Sequence, residues 1–61
     1  MKETKLKSRR KEMGLTQMEV AKQAKVSVRN YQRMENGDRV PRADTAKLIA
    51  KALHTTVEKL F

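Results

Sequence analysis

Between positions 28 and 36, side chains that can read base edges recur on one side of a predicted helix. Spacings of i, i+1, i+4, i+5 and i+8 bring together Val28, Arg29, Gln32, Arg33 and Asn36. Guanidinium groups offer paired donors for guanine, an amide offers a donor and an acceptor for adenine, and valine can contact the thymine methyl group. The stripe therefore has the chemistry to read a DNA major groove, although in isolation it would favour an ordinary solvated face.

A short helix with clear boundaries precedes this stripe. Thr16 and Glu19 form a capping box, in which each side chain binds the other residue's free backbone amide. Leu15 can pack against Val20 as a hydrophobic staple. Helix 2 is therefore predicted from Thr16 through Ala24.

Helix 3 has its own start and stop signals. Ser27 is an N-cap candidate and Gly37 is a C-terminal capping glycine, which predicts a helix from about Val28 to Asn36. Two helices in so little chain must cross at a steep angle, and the small side chain of Ala21 lets their backbones approach closely. This rigid frame favours base reading over the solvated face.

The chain from Leu6 to Phe61 resembles the phage Cro and repressor type of helix-turn-helix, a group also described as xenobiotic-response-element-like transcriptional regulators. The residues that carry the resemblance are Gly14, Leu15, Thr16, Gln17, Glu19, Ala21, Val26, Ser27, Glu35, Asn36, Gly37, Pro41 and the segment Ile49 to Leu53. The resemblance implies an all-α, compact five-helix, lambda-repressor-like DNA-binding domain over residues 1–61. Its helix-turn-helix would be formed by helices 2 and 3.

The resemblance also implies roles for particular side chains. Gln17 and Asn36, at the start of helix 2 and the end of helix 3, would bind DNA phosphates. The base readers would be Val28, Arg29 and Arg33, with Gln32 as a further candidate. Arg10 and Glu35 would form an ion pair buried against the domain, which gives both a structural role.

Four residues depart from the family pattern. Lys25 and His54 stand where glycine is usual, so each must accept a positive φ. Tyr31 replaces a branched aliphatic residue, which predicts a ring packed inward with its hydroxyl reaching the rim. Arg42 stands where a serine cap is common, so helix 4 is expected to begin less cleanly.

The charge of the chain suits a polyanionic partner. Fifteen Lys and Arg against seven Asp and Glu give a formal charge of +8 and a pI near 10.3, so nucleic acid is the first candidate. The first segment is especially basic, with Lys2, Lys5, Lys7, Arg9, Arg10 and Lys11. A basic run is usually a solvated surface, but this one adjoins the reading helix. Further predicted phosphate contacts are Lys5, Arg9, Arg39 and Arg42.

Periodicity and breaker residues predict three more helices. Helix 1 runs from about Lys2 to Met13 and ends at Gly14. After a loop at 38–42, helix 4 runs to about Leu53. Its inward face is predicted to be Ala43, Ala46, Ile49, Ala50 and Leu53. Thr56 is predicted to cap a final short helix that ends at Phe61.

A chain of 61 residues has a small core, since it buries only about 60% of its unfolded surface. The predicted core is Leu6, Met13, Leu15, Val20, Ala21, Ala24, Val26, Tyr31, Met34, Ala46, Ile49, Ala50, Leu53, Val57 and Leu60. Its stability is expected to be about 3 to 5 kcal/mol. The absence of cysteine, of an apolar run of ~20 residues and of a secretory signal favours the cytoplasm.

Apolar residues outside the predicted core gather near the end of the chain. Leu48 and Ala52 lie off the inward face of helix 4, close to Val57 and Phe61. Scattered apolar surface residues are common, but the resemblance implies a two-fold dimer near helices 4 and 5, with two reading helices about 34 Å apart. A weak homodimer that DNA strengthens is therefore expected.

The residue types argue against catalysis. The single histidine, His54, has no neighbouring nucleophile or carboxylate pattern, and Ser8 and Ser27 lack a nucleophile-elbow context. No ligand pair has metal spacing, and two glycines cannot form a phosphate loop. No enzyme activity, metal, cofactor or small-molecule ligand is expected.

The preferred interpretation is a sequence-specific regulator of transcription that binds double-stranded DNA, most simply a repressor on a palindromic operator. An alternative of another class is a protein-interaction module, such as an antitoxin or bridging factor whose DNA contact is secondary. A cationic membrane-surface peptide is disfavoured because no helix places basic residues opposite one wide apolar face.

Overall fold

Five α-helices follow one another in the computed structural model, which describes residues 4–61. They are α1 (Lys5–Glu12), α2 (Gln17–Gln23), α3 (Val28–Glu35), α4 (Ala43–Ala52) and α5 (Val57–Leu60). No strand occurs in this part of the chain, which confirms the predicted all-α fold. α2 packs against α3 and α4, and α5 packs against α1 and α4, so the helices enclose one core.

The start of α1 differs from the prediction. The Oγ1 of Thr4 accepts a hydrogen bond from the backbone N–H of Lys7 at 3.2 Å, and the backbone of Thr4 is extended. This residue is therefore the N-cap, and the helix begins at Lys5. The predicted start at Lys2 is wrong, and Lys2 itself lies outside the described residues.

The caps of the later helices follow the sequence signals in part. Thr16 and Glu19 each bind the other's backbone amide at 3.1 Å, which confirms the capping box of α2. The Oγ of Ser27 accepts from the amide three residues on, which confirms the cap of α3. At the start of α4 and α5, the side chains of Arg42 and Thr56 make no capping bond. Arg42 thus gives the less clean start that was expected, whereas Thr56 occupies the predicted N-cap position of α5 without the side-chain bond of a cap.

Each of the first four helices is followed, two positions after its last residue, by a residue in the left-handed region. These residues are Gly14, Lys25, Gly37 and His54, with φ of +69°, +59°, +82° and +52°. In each case this residue and the next donate their amides back to the last turn, which is a Schellman motif. The predicted positive φ of Lys25 and His54 is confirmed, and it is unfavourable for side chains with a Cβ.

Every residue of the predicted core is either buried or packed against the buried core, and the disagreements with the prediction lie on α4. Met13, Leu15, Val26 and Val57 pack at the edge of the core and are only partly buried. Ala43, predicted to face inward, is exposed because it is the first residue of α4 and lies beyond the packed turns. Ala52, predicted to lie off the inward face, is only 7% exposed and belongs to the core. Because α5 packs back against α4, the buried side there is wider than the periodicity of α4 predicts.

Tyr31 packs differently from its predicted pose. Its ring is fully buried, as expected, but its hydroxyl is buried too and has no hydrogen-bond partner within residues 4–61. The prediction that the hydroxyl reaches the rim is therefore wrong. Burial and the neighbouring Glu35 carboxylate raise the pKa of Tyr31, so the phenol stays protonated at neutral pH.

Candidate nucleic-acid interface

The two sides of α3 differ in exposure. Its inner side buries Tyr31, Met34 and Glu35. The residues of the predicted stripe lie on the other side, where Val28 is half-buried and the exposed members are Arg29, Gln32, Arg33 and Asn36. Helical spacing in the sequence therefore separated the two sides of α3 correctly, and the stripe is open to a partner.

Packing between α2 and α3 sets how this stripe is presented. Val20 and Ala21 of α2 are fully buried, and Ala24, which follows the helix, is almost completely buried. The backbone N–H of Val26 donates to the carbonyl oxygen of Ala21 at 3.0 Å, which closes the turn tightly. Since Ala21 has only a methyl group at this point, the two helices approach closely and hold a fixed angle.

The two arginines of the stripe keep their hydrogen-bonding capacity. Arg29 and Arg33 are both exposed, and within residues 4–61 neither guanidinium forms an ion pair. Four residues apart on a helix, they lie one turn from each other on the same side. Two exposed guanidinium groups without an ion-pair partner can each bind planar acceptors such as the O6 and N7 edge of guanine.

An ion pair lies directly behind the stripe. The Nε of Arg10 donates to Oε2 of Glu35 at 2.6 Å, and its Nη1 donates to the carbonyl oxygen of Leu15 at 2.8 Å. The Oγ1 of Thr4 donates to the Glu35 carbonyl oxygen at 2.6 Å. These bonds join α1, the turn before α2, and α3, so the ion pair holds the C-terminal end of α3 in place.

The Glu35 carboxylate is ionised despite its burial. Its residue is only 2% exposed, and burial by itself raises the pKa of Glu35. Hydrogen bonds from Arg10 and Gln17, together with the charge of Arg10, outweigh burial and hold the pKa below its ordinary value. The same partner raises the pKa of Arg10, so both groups are charged at neutral pH.

Gln17 connects this ion pair to the outer surface. Its Nε2 donates to Oε1 of Glu35 at 3.1 Å, and its Oε1 accepts a hydrogen bond from Nε2 of Gln32 at 3.1 Å. Sequence reasoning assigned separate roles to Gln17 and Gln32 and missed their contact. The two residues are 15 positions apart on different helices, so no local pattern in the chain could have revealed it.

Comparison with protein-family models gives a match over residues 6–60, to a model described as helix-turn-helix. The chain belongs to the Cro and repressor type of helix-turn-helix family. The fold is therefore lambda-repressor-like, and the protein is a DNA-binding regulator of transcription. A comparison with curated proteins gives no match.

For this family of DNA-binding regulators, the further basic residues that were predicted to contact phosphate are of direct interest. Lys5, Arg39 and Arg42 are exposed. Arg9 differs, because its Nε donates to the Leu53 carbonyl oxygen at 2.9 Å and its Nη2 to the His54 carbonyl oxygen at 3.1 Å. Its guanidinium thus joins α1 to the C-terminal end of α4, which is a structural role that the sequence analysis missed.

The apolar residues predicted for a dimer interface differ in what they expose. Phe61 is 46% exposed, and Leu48 and Val57 are half-buried against the core. Ala52 is buried, so it offers almost no surface to a partner. Three of the four residues therefore remain available for a contact near α4 and α5.

Two kinds of feature, a metal-binding cluster and a membrane-spanning helix, are absent from the described part of the chain. Residues 4–61 contain no group of three or more side chains suited to hold a metal ion. No helix among them is long and apolar enough to cross a membrane. The family is a regulatory one and not a family of enzymes.

Proposed function

We propose that this protein is a repressor that binds a palindromic operator as a dimer, with α3 in the major groove. The observation that carries the proposal is the exposed, unpartnered pair of Arg29 and Arg33 on a helix that α2 holds at a fixed angle. Occupying a promoter is sufficient for repression, because it blocks access to the same DNA. The cytoplasm is the proposed site of action.

Each side chain of the stripe has a proposed partner. Arg29 and Arg33 each bind a guanine edge through two donors, and Gln32 binds adenine through one donor and one acceptor. Val28, half-buried at the first position of α3, offers its methyl groups to a thymine methyl. The stripe thus reads several adjacent base pairs of one half-site.

Phosphate contacts fix the register of this reading helix. Gln17 has two amide hydrogens, and its contact with Glu35 uses one, so the other is free for a phosphate. Asn36, at the end of α3, reaches the backbone on the opposite side. The remaining proposed phosphate contacts are Lys5, Arg9, Arg39 and Arg42. Of these, Arg9 contributes mainly through its positive charge, since its donors bind carbonyl oxygens.

A second copy of the chain completes the proposed reader. Leu48, Val57 and Phe61 provide an apolar surface near α4 and α5. This surface is small, so dimerisation is weak in solution and is strengthened when two half-sites lie on one duplex. Two-fold pairing places the reading helices one turn of DNA apart, about 34 Å.

Selection of bound duplexes from a random pool tests the proposal. We expect an enriched palindrome whose half-site centres are separated by about 10 base pairs. Enrichment of a single half-site, together with one protomer per duplex in sedimentation, would show that the dimer is wrong. A pool without any enriched sequence would refute sequence-specific binding and favour a protein-interaction module.

A further inference from the structure

A chain of four hydrogen-bonded side chains leads from the buried ion pair to the outer surface of α3. Arg10 donates to Oε2 of Glu35 at 2.6 Å and to Oε1 at 3.4 Å, and Gln17 donates to the same Oε1 at 3.1 Å. Gln32 in turn donates its Nε2 to Oε1 of Gln17, also at 3.1 Å. The last member of this relay is exposed beside Arg29 and Arg33.

The buried end determines the direction of every bond in this relay. An ionised carboxylate accepts hydrogen bonds and cannot donate them. Gln17 must therefore turn its NH₂ group toward Glu35, which leaves its carbonyl oxygen toward Gln32. That oxygen can only accept, so Gln32 must donate one of its two amide hydrogens. Glu35 cannot turn away, because Arg10 binds both of its carboxylate oxygens.

The bond to Gln17 limits what Gln32 can offer to a base. After one amide hydrogen is used, Gln32 retains one N–H donor and one carbonyl acceptor. Adenine presents an acceptor and a donor in the major groove, whereas guanine presents two acceptors, N7 and O6. A glutamine with both amide hydrogens free can face two acceptors, but the tethered Gln32 can form two bonds with adenine and only one with guanine.

We infer that Gln17 is a positioning residue that makes Gln32 selective for adenine over guanine. This inference rests on the proposed function, since it requires α3 to lie in the major groove. It extends the role of Gln17 beyond phosphate binding, and the two roles are compatible, because its second amide hydrogen is not used in the relay. Base selectivity at one position would then depend on a residue that touches no base.

A pair of matched variants tests the inference. Gln17→Met keeps the length of the side chain and removes both of its relay bonds, while Gln23→Met makes the same change at an exposed position of α2 outside the relay. The base pair read by Gln32 is first located as the one where Gln32→Ala abolishes discrimination between adenine and guanine. Competition binding then compares duplexes that carry either base at that position.

We expect the wild-type protein and Gln23→Met to prefer adenine equally. Gln17→Met is expected to lose about tenfold of that preference, the equivalent of one correctly paired hydrogen bond. Loss of a phosphate contact alone would weaken both duplexes by the same factor and leave their ratio unchanged. An unchanged ratio in Gln17→Met would therefore overturn the inference, even if Arg29 and Arg33 were proved to read bases.

The free protein provides a second readout that requires no DNA. In nitrogen-15 NMR spectra, one side-chain amide hydrogen of Gln32 should exchange slowly with water in the wild type and in Gln23→Met. Both hydrogens should exchange at the rate of a solvated amide in Gln17→Met. Equal exchange in all three proteins would refute the relay. If instead the relay is present but no duplex is bound selectively, the proposed function fails and the selectivity inference falls with it.

Discussion

At the scale of single residues, Arg29 and Arg33 differ from the other basic residues in what their removal should change. Replacing either with alanine removes a bidentate donor from the reading stripe. We expect a loss of about 1 to 3 kcal/mol in binding to the selected operator, with relaxed specificity at one base pair. Titration of operator and random duplexes against each variant measures both quantities.

Lys5→Ala provides the control for charge. Lys5 is exposed on α1 and is proposed to contact only phosphate, so its loss should weaken operator and random duplexes by the same factor. The base-reading assignment is wrong if Arg29→Ala and Arg33→Ala behave like Lys5→Ala.

Lys25 offers a test of backbone strain at a single position. With φ of +59° at the end of α2, it has a conformation that glycine adopts without penalty. Lys25→Gly should raise the free energy of unfolding by about 0.5 kcal/mol, since the relief of about 1 kcal/mol of strain outweighs the larger entropy of the unfolded glycine. Urea unfolding measures the change.

Lys22→Gly is the matched comparison, because it makes the same chemical change at an exposed position inside α2. Glycine within a helix lowers stability by about 1 kcal/mol. Lys25→Gly and Lys22→Gly should therefore shift stability in opposite directions. Equal destabilisation by the two variants would mean that left-handed strain at Lys25 is negligible.

At the scale of elements, the crossing of α2 and α3 depends on the size of one side chain. Ala21 is completely buried where the helices approach, so Ala21→Leu must push them apart. We expect a loss of about 1 to 3 kcal/mol in stability and weaker operator binding under conditions where the variant remains folded. Ala43→Leu adds the same atoms at an exposed position and should leave both properties almost unchanged.

The ion pair between α1 and α3 makes stability depend on pH. The pKa of Glu35 is lower in the folded protein than the ordinary value of about 4.3. The stabilisation that the ionised Glu35 carboxylate provides is therefore present at neutral pH. It is lost as the pH falls below about 4 and through the lowered pKa of the folded protein. Urea unfolding between pH 7 and pH 2.5 should show this loss. The double variant Arg10→Met with Glu35→Leu should flatten the acid limb, and an unaltered limb would assign the effect to other carboxylates.

At the scale of the whole molecule, DNA binding by a chain with a net charge of +8 should weaken strongly as salt is added. A dimer that neutralises about eight phosphates predicts a slope near −7 for the logarithm of affinity against the logarithm of salt concentration. The slope is obtained by measuring the affinity for the operator between about 50 and 200 mM salt, which is the usual range for such titrations. A flat response would favour a partner that is a protein.

The helix boundaries and the exposed side of α3 could largely be predicted from local patterns in the sequence. The capping box at Thr16 and Glu19, the left-handed ends at Lys25 and His54, and the two sides of α3 each depend on residues within one or two helical turns. Interactions of this range are encoded by spacing and residue type alone. The family could be identified for the same reason, since its signature is a fixed order of such local signals.

Only the tertiary structure decided the features that join distant elements. The burial of Ala52 depends on how α5 packs against α4. Whether the Tyr31 hydroxyl is buried, and whether it has a hydrogen-bond partner, depends on which groups surround it. The relay from Glu35 through Gln17 to Gln32 requires a crossing angle that sets side chains from two helices within hydrogen-bond distance. Spacing along a chain specifies which residues share a helix face, whereas contact between faces depends on the packing of the entire core.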